Sequence, residues 1–289
     1  MGYRVDNAVI MAAGLSSRFA PISYEKPKAL VEVKGERLIE RQIRQLQAAG
    51  IKEIIVVVGY KKEQLAYLAE KFQVRLVENP DYQTRNNNGS IYAAGEFLKN
   101  TYICSADNYY AENPFAAEEG DSYYSALYAD GPTAEWCMQT DDAGFISRVE
   151  IGGENAWYML GHAFWSEEFS ARYLRILQNV YEQPETRGML WEALFMKHLD
   201  ELKMRVRPYP AGSIFEFDSL DELRLFDPKY RENSGSVILR QIAQRLSCTE
   251  AALTEIVPLK DGQGEVTGVQ MHTPRGVKSF RYENFPDAG

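Results

Sequence analysis

The chain has few of the residues that mark several common classes of protein. Among its 289 residues are three cysteines and three histidines, and neither type recurs at the spacing of a disulfide framework or a zinc site. No apolar run is long enough to cross a membrane, and no charged-then-apolar leader opens the sequence. We therefore expect a cytoplasmic protein with free thiols and no membrane attachment.

Acidic residues outnumber basic ones, with 41 aspartates and glutamates against 32 lysines and arginines. The formal net charge of -9 repels a polyanion at long range, and no stripe of basic residues alternates with aromatic ones. Nucleic acid is therefore not an expected partner. A small anion can still bind where a few cations are concentrated.

Hydrophobic patterning predicts an α/β fold. Over the first hundred residues, apolar runs typical of buried strands alternate with segments of helical periodicity. This alternation predicts a Rossmann-like, mostly parallel sheet flanked by helices, with ligands at the carboxyl ends of the strands. From about residue 122, aromatic-rich alternating segments predict antiparallel strands over one edge of that sheet. Helices are expected at about 167–182 and 187–201.

A polar segment at 227–236 suggests a domain boundary. We place a main domain at 1–230 and a C-terminal extension at 231–289. The extension is expected to contain a helix at 237–246 and a hairpin that turns near 260–265. A linker, a dimer contact and a lid all remain open as its role.

The stretch "AVIMAAGLSSRFAPISYEKPKAL", residues 8–30, suggests an anion site. A glycine turn between a strand and a helix exposes backbone N–H groups, and the helix N-terminus adds its dipole. Arg18 and Lys28 follow closely and suit a polyphosphate. The spacing matches neither the Walker pattern nor the dinucleotide-binding pattern.

The same stretch carries a family resemblance. Gly14 to Arg18, followed by Lys26-Pro27-Lys28-Ala29-Leu30, resembles the signature of nucleotidyltransferases that join a nucleoside triphosphate to a phosphorylated small molecule. The resemblance extends over roughly residues 6–227 and implies the fold of the nucleotide-diphospho-sugar transferases. It also implies that Arg18 and the loop amides hold the triphosphate, and that Lys28 bridges the α-phosphate and the acceptor phosphate. The implied loop contacts are Ala12, Ala13, Gly14, Leu15, Ser16, Ser17 and Arg18.

Two further segments extend the resemblance. The segment "NPDYQTRNNNGSIYAA" is similar to the family's base-binding segment, which adds Asn86, Asn87 and Ser90, although asparagine and serine also cap ordinary helices. "CSADNYY" places Asp107 directly after an apolar strand, with Ala106 as a further nucleotide contact. In the family a strand-end aspartate and a later acid, here Asp218, bind the metal. Mg²⁺ is therefore the expected cofactor, because it prefers carboxylate and phosphate oxygens.

Aromatic residues beside acids point to the acceptor. A quaternary ammonium is selected by aromatic faces with carboxylates nearby. The candidate acceptor residues that share this character are Glu135, Trp136, Trp157, Trp191, Glu192, Phe215 and Glu216.

Together these segments look most like the bacterial CTP:phosphocholine cytidylyltransferases. That resemblance implies Mg²⁺-dependent in-line attack of phosphocholine on CTP, giving CDP-choline and pyrophosphate, with Lys28, Arg18 and Asp107 as catalytic residues. One departure is that Leu190 and Glu192 flank Trp191, where the family pattern has an aromatic residue and an aspartate. A sugar 1-phosphate, phosphoethanolamine or an aminoalkylphosphonate remains open as the acceptor. A catalytically silent nucleotide-binding module and a homodimer also remain open.

Overall fold

The computed structural model describes residues 2–285. The strands are β1 (Tyr3–Arg4), β2 (Asn7–Ala12), β3 (Glu32–Val33), β4 (Glu36–Arg37), β5 (Glu53–Val58), β6 (Arg75–Glu78), β7 (Thr101–Ser105), β8 (Asn108–Tyr110), β9 (Glu118–Glu119), β10 (Tyr123–Thr140), β11 (Ile146–Trp165), β12 (Arg205–Pro208), β13 (Ile214–Glu216), β14 (Thr254–Lys260), β15 (Val266–Thr273) and β16 (Gly276–Arg281). The helices are α1 (Ile22–Glu25), α2 (Leu38–Ala48), α3 (Tyr67–Phe72), α4 (Asn87–Ala93), α5 (Glu167–Val180), α6 (Trp191–Met196), α7 (Leu220–Phe226), α8 (Lys229–Glu232) and α9 (Val237–Leu246). Over the described residues, none of these helices is long and apolar enough to span a membrane.

Two compact units are interleaved along the chain. Unit 1 comprises the residues up to Gly14 together with Leu38–Glu216, and unit 2 comprises Leu15–Arg37 together with the chain from Phe217 onward. The division therefore differs from the sequence-based boundary at residue 230, because the C-terminal extension groups with an early segment. The domain bounds 1–230 and 231–289 stay a prediction.

The main sheet of unit 1 confirms the predicted fold class. It has seven strands in the order β12-β10-β11-β7-β2-β5-β6, in which β2 pairs in parallel with β5 and β7, and β5 pairs in parallel with β6. β2 and β5 are nearly continuous apolar runs, as expected for strands covered on both faces. Leu38, Ile39, Ile43 and Leu46 of α2 are buried at helical spacing.

The aromatic-rich half forms two long strands. Four separate segments were expected over the edge of the sheet, but β10 and β11 span 18 and 20 residues and pair antiparallel with each other. β11 then pairs antiparallel with β7, so this region extends the sheet through hydrogen bonds. Ser166 caps the following helix, α5, by accepting a hydrogen bond from the Phe169 N–H. The helix expected at 187–201 is restricted to Trp191–Met196.

Unit 2 contains α1, α7, α8, α9 and a small antiparallel sheet. The expected hairpin is confirmed by the pairing of β14 with β15, and β16, which the sequence analysis did not anticipate, adds a third strand. The helix expected at 237–246 is α9, whose N-terminal Ser236 side chain accepts a hydrogen bond from the Leu239 N–H. Ile238, Leu239 and Ile242 form its buried face.

Candidate active site

The loop after β2 begins with an exposed glycine and continues without a long helix. Gly14 has open space where a Cβ would lie, and the left-handed residue of the turn is Ser16, with φ 48°. A 3-10 helix of three residues, Ser17–Phe19, follows. The expected contribution of a helix dipole is therefore wrong, because the next α-helix, α1, has only four residues. Any anion at this loop must depend on backbone N–H groups and on side-chain cations.

Those cations lie around one carboxylate in unit 2. Lys28 Nζ is 4.0 Å from Asp218 Oδ1, and the Arg18 guanidinium donates to Asp218 Oδ2 at 2.5 Å. The Lys28 side chain is 5% exposed, whereas that of Arg18 is 73% exposed. Three residues that were predicted as site residues from distant parts of the sequence are therefore neighbours.

The start of α7 holds Asp218 in place. Ser219 caps α7 by accepting from the Glu222 N–H at 3.2 Å, and the Ser219 hydroxyl donates to Glu222 Oε1 at 3.0 Å. The Asp218 N–H donates to Glu222 Oε2 at 2.8 Å. Glu222 thus accepts from both residues that precede α7 and fixes the backbone from which the Asp218 side chain projects.

In unit 1, two predicted site residues follow adjacent parallel strands. Met11 of β2 and Ser105 of β7 are register partners, so Gly14 and Asp107 both lie just beyond the same edge of the sheet. The Ala106 N–H donates to the Met11 carbonyl at 3.1 Å, and the Tyr60 N–H donates to the Ala13 carbonyl at 3.1 Å. These bonds fix the backbone on both sides of the edge where ligands of parallel α/β sheets bind.

The donor atoms of Asp107 and Asp218 suit Mg²⁺, which needs only one or two protein carboxylates when substrate phosphates supply further oxygens. Among residues 2–285 there is no cluster of three or more histidine, cysteine, aspartate or glutamate side chains arranged to hold a metal. A site that depends on substrate oxygens does not require such a cluster. The assignment of Mg²⁺ therefore stays a prediction.

The asparagines of the predicted base-binding segment have structural partners. Asn86 caps α4 through the Asn87 N–H at 2.8 Å, as the alternative interpretation from the sequence anticipated. Asn87 Oδ1 accepts from the backbone N–H of Trp191 at 2.7 Å. Ser90 is buried, and its hydroxyl accepts from Asn79 Nδ2 at 3.4 Å. Their contacts to a base stay a prediction.

Burial and two carboxylates raise the pKa of one tyrosine, Tyr124. The Tyr124 hydroxyl donates to Glu192 Oε1 at 3.1 Å, and Asn87 Nδ2 donates to Glu192 Oε2 at 3.2 Å. Burial raises the pKa of Glu192 to about 7. The pKa of Tyr124 is raised well above its usual value by burial and then by the charges of Glu192 and Glu216. We call Tyr124, Glu192 and Glu216 the acidic cluster.

Sequence reasoning missed Tyr124, because it is one of 18 tyrosines and lies in an alternating strand that has no further signal. Its ring stacks on Trp191, with centroids 5.4 Å apart. Trp191 itself is 2% exposed and packs edge-on against Trp165 at 5.1 Å. This placement favours a packing role for Trp191 under the acidic cluster.

The remaining acceptor candidates lie on neighbouring strands of unit 1. Trp157 is partly buried on β11 and packs edge-on against Tyr128 at 5.2 Å. Trp136 is partly buried on β10, next to the exposed Glu135. Phe215 on β13 has its ring 6.3 Å from that of Tyr109. The roles of all four in acceptor binding stay predictions.

Comparison with known proteins identifies the family. Residues 8–118 match the MobA-like NTP transferase domain. The chain is 39% identical over 228 residues to the 2-aminoethylphosphonate cytidylyltransferase of Lancefieldella rimae, an alignment that covers 78% of this chain and 93% of that protein. It is 35% identical over 217 residues to the choline-phosphate cytidylyltransferase of Streptococcus pneumoniae, covering 75% of this chain and 95% of that protein. The chain belongs to the bacterial cytidylyltransferases.

Solved structures agree with this membership. The CTP:phosphocholine cytidylyltransferase LicC from Streptococcus pneumoniae superposes with a TM-score of 0.74 at 34% identity, covering 78% of this chain and 99% of that one. A glucose-1-phosphate thymidylyltransferase from Bacillus anthracis has a TM-score of 0.63 at 14% identity, and it shares the fold alone. This cytidylyltransferase is therefore a nucleotidyltransferase that acts on a phosphorylated acceptor.

Proposed function

We propose that this cytidylyltransferase transfers CMP from CTP to a small acceptor that has a phosphorus oxyanion at one end and a cationic amine at the other, with phosphocholine as the first candidate. The products would be CDP-choline and pyrophosphate. The observation that carries the proposal is the acidic cluster, in which the buried Tyr124 hydroxyl donates to Glu192 Oε1 at 3.1 Å and the charge of Glu216 contributes to raising the pKa of the same tyrosine. A negatively charged cluster attracts a cationic amine and gives no advantage to a neutral sugar.

The proposed chemistry is an in-line attack by an acceptor oxygen on the α-phosphorus of CTP. The attacking oxygen is already anionic near neutral pH, so the reaction needs alignment and charge neutralisation and does not need a general base. Lys28 and Arg18 would hold phosphate oxygens, as the lysine and arginine of the family signature imply. Asp107 and Asp218 would bind Mg²⁺, which supplies further neutralisation of phosphate charge.

A second candidate acceptor is 2-aminoethylphosphonate. The relative of that name is 39% identical to this chain. A primary ammonium donates directional hydrogen bonds, and the Glu192 and Glu216 carboxylates are suitable acceptors for them. A quaternary ammonium instead needs accessible aromatic faces, and the Trp191 ring is almost fully buried.

Pyrophosphate release tests both candidates directly. The enzyme is incubated with CTP, Mg²⁺ and, in turn, phosphocholine, phosphoethanolamine, 2-aminoethylphosphonate or glucose 1-phosphate, and kcat/KM is compared. We expect an amine-bearing acceptor to exceed glucose 1-phosphate by at least about 100-fold, the discrimination expected when buried polar groups lose their partner. A preference for glucose 1-phosphate would refute the cationic acceptor, and CTP binding without turnover of any acceptor would indicate a silent module. Replacing CTP by UTP tests the base in the same assay.

A further inference from the structure

Glu25 connects the family signature to the C-terminal extension. Its Oε1 accepts from the Ser236 hydroxyl at 2.6 Å and from the Ile238 N–H at 2.9 Å, and its Oε2 accepts from the Val237 N–H at 3.0 Å. Glu25 therefore satisfies N–H groups at the start of α9 that have no partner within the helix. Its negative charge is also favourable at the positive end of the helix. The next residue after Glu25 is Lys26, which opens the Lys26–Lys28 part of the signature.

Other contacts join the extension to the same segment, Leu15–Arg37, which we call the basic segment. The Tyr24 and Tyr282 rings stack with centroids 3.9 Å apart. Strand β14 of the extension contacts the 3-10 helix Ser17–Phe19, which contains Arg18. The extension therefore packs on the turn that contains Arg18 and on α1, which directly precedes Lys26.

The extension also holds the helix that follows Asp218. Arg224 of α7 is buried, and its guanidinium donates to the Leu253 carbonyl at 2.5 Å and to the Glu250 carbonyl at 2.7 Å. The Glu255 N–H donates to Asp221 Oδ2 at 2.8 Å. Residues in the 3-10 turn before β14 and at the start of β14 thus fix α7.

We propose that the C-terminal extension positions the phosphate-binding cations, and that Glu25 is the positioning residue that couples α9 to Lys26 and Lys28. Before the short β3–β4 hairpin, the basic segment contains only 3-10 turns and a four-residue helix, elements that have few hydrogen bonds of their own. The extension supplies further restraint on the segment that carries Arg18 and Lys28 and on the helix next to Asp218. The inference rests on the proposed role of Lys28 and Arg18 in binding the triphosphate of CTP.

Glu25→Gln tests the coupling. The substitution removes the charge and replaces one acceptor oxygen by an NH₂ group that faces N–H donors. We expect the Kd of CTP, measured by calorimetric titration with Mg²⁺ present, and the KM of CTP to rise about tenfold, which corresponds to about 1.4 kcal/mol. The KM of the acceptor should change less than that of CTP, because Lys28 is the only acceptor contact proposed within the basic segment. Glu25→Asp, which keeps the charge, should recover part of the CTP affinity.

Ser166→Ala is the matched control, because it removes a helix N-cap in unit 1 without touching the basic segment. It should lower Tm and leave the Kd of CTP unchanged. If Glu25→Gln lowers Tm but keeps the parent Kd and KM of CTP, the role of Glu25 is merely structural and the proposal is wrong. If Glu25→Gln does not fold, Tyr282→Leu takes its place, with the same rise in Kd expected and an unchanged Kd overturning the proposal. A parent enzyme that does not bind CTP would refute the proposed function itself, and the positioning role with it.

Discussion

Glu192→Gln should make the protein more stable, because the parent carboxylate lies in an environment that disfavours its charge. It should also make the protein a poorer enzyme, because the cationic amine of the acceptor loses a carboxylate partner. Burial raises the pKa of Glu192 from 4.5 to about 7. Below pH 4.5 the carboxyl is protonated in both the folded and the unfolded chain, so it costs no stability. As the pH rises from 4.5 to 7, the unfolded chain loses this proton first, and the free energy of unfolding falls by about 3 kcal/mol. That loss is complete above pH 7.

Glutamine removes this charge penalty and loses one hydrogen bond. Asn87 Nδ2 donates to the carboxylate at 3.2 Å, while Asn87 Oδ1 accepts from the Trp191 N–H at 2.7 Å. Because that second bond fixes the amide, Asn87 continues to donate to the glutamine oxygen, and the glutamine NH₂ faces the Tyr124 hydroxyl. The Tyr124 O–H then loses its acceptor, which costs about 1 kcal/mol. The variant should therefore gain about 2 kcal/mol in the free energy of unfolding at pH 8 and almost nothing at pH 5.

Urea denaturation followed by circular dichroism at pH 5 and pH 8 measures this difference. The same gain at both pH values would refute the raised pKa of Glu192. Pyrophosphate release measures the functional cost, where kcat/KM for the amine-bearing acceptor should fall about 10- to 100-fold, the value of a charge-assisted hydrogen bond. For the parent, the KM of the acceptor should fall as the pH rises through 7, because ionised Glu192 binds a cation better than the neutral carboxyl does. In Glu192→Gln this part of the pH dependence of KM should be absent.

Three further substitutions test other parts of the site. Asp107→Ala should lower the rate of pyrophosphate release by about 100-fold or more at saturating Mg²⁺ with an unchanged circular dichroism spectrum, and a parent-like rate would make the metal assignment wrong. Lys28→Gln should weaken CTP binding in calorimetry and lower kcat by about 100-fold; full activity would exclude Lys28 from the phosphate site. Ser219→Ala should lower the free energy of unfolding by about 1 kcal/mol in urea, because α7 loses its cap, and should also lower kcat through Asp218. An unchanged urea midpoint would contradict the role of the cap.

Much of the candidate site could be predicted because it depends on strand order and on a local motif. The apolar runs of β2 and β7 place Gly14 and Asp107 at strand ends, and parallel pairing brings those ends to one edge. The grouping of Arg18 and Lys28 with Asp218 followed from the family signature. Among the predicted acceptor residues, Trp191 is buried in the core, and an unanticipated tyrosine, Tyr124, donates to Glu192.

The sequence by itself determined the α/β class, the parallel core and the chemical character of the site, because periodicity, turn residues and charged motifs are local properties of the chain. Three features became visible only in the tertiary structure. Residues 15–37 pack with the C-terminal extension, Glu25 accepts hydrogen bonds from the start of α9, and Glu192 accepts a hydrogen bond from a buried tyrosine. Each of these depends on contacts between residues 68 to more than 200 positions apart. Such contacts form only when complete helices and strands pack together, so no local pattern in the sequence predicts them.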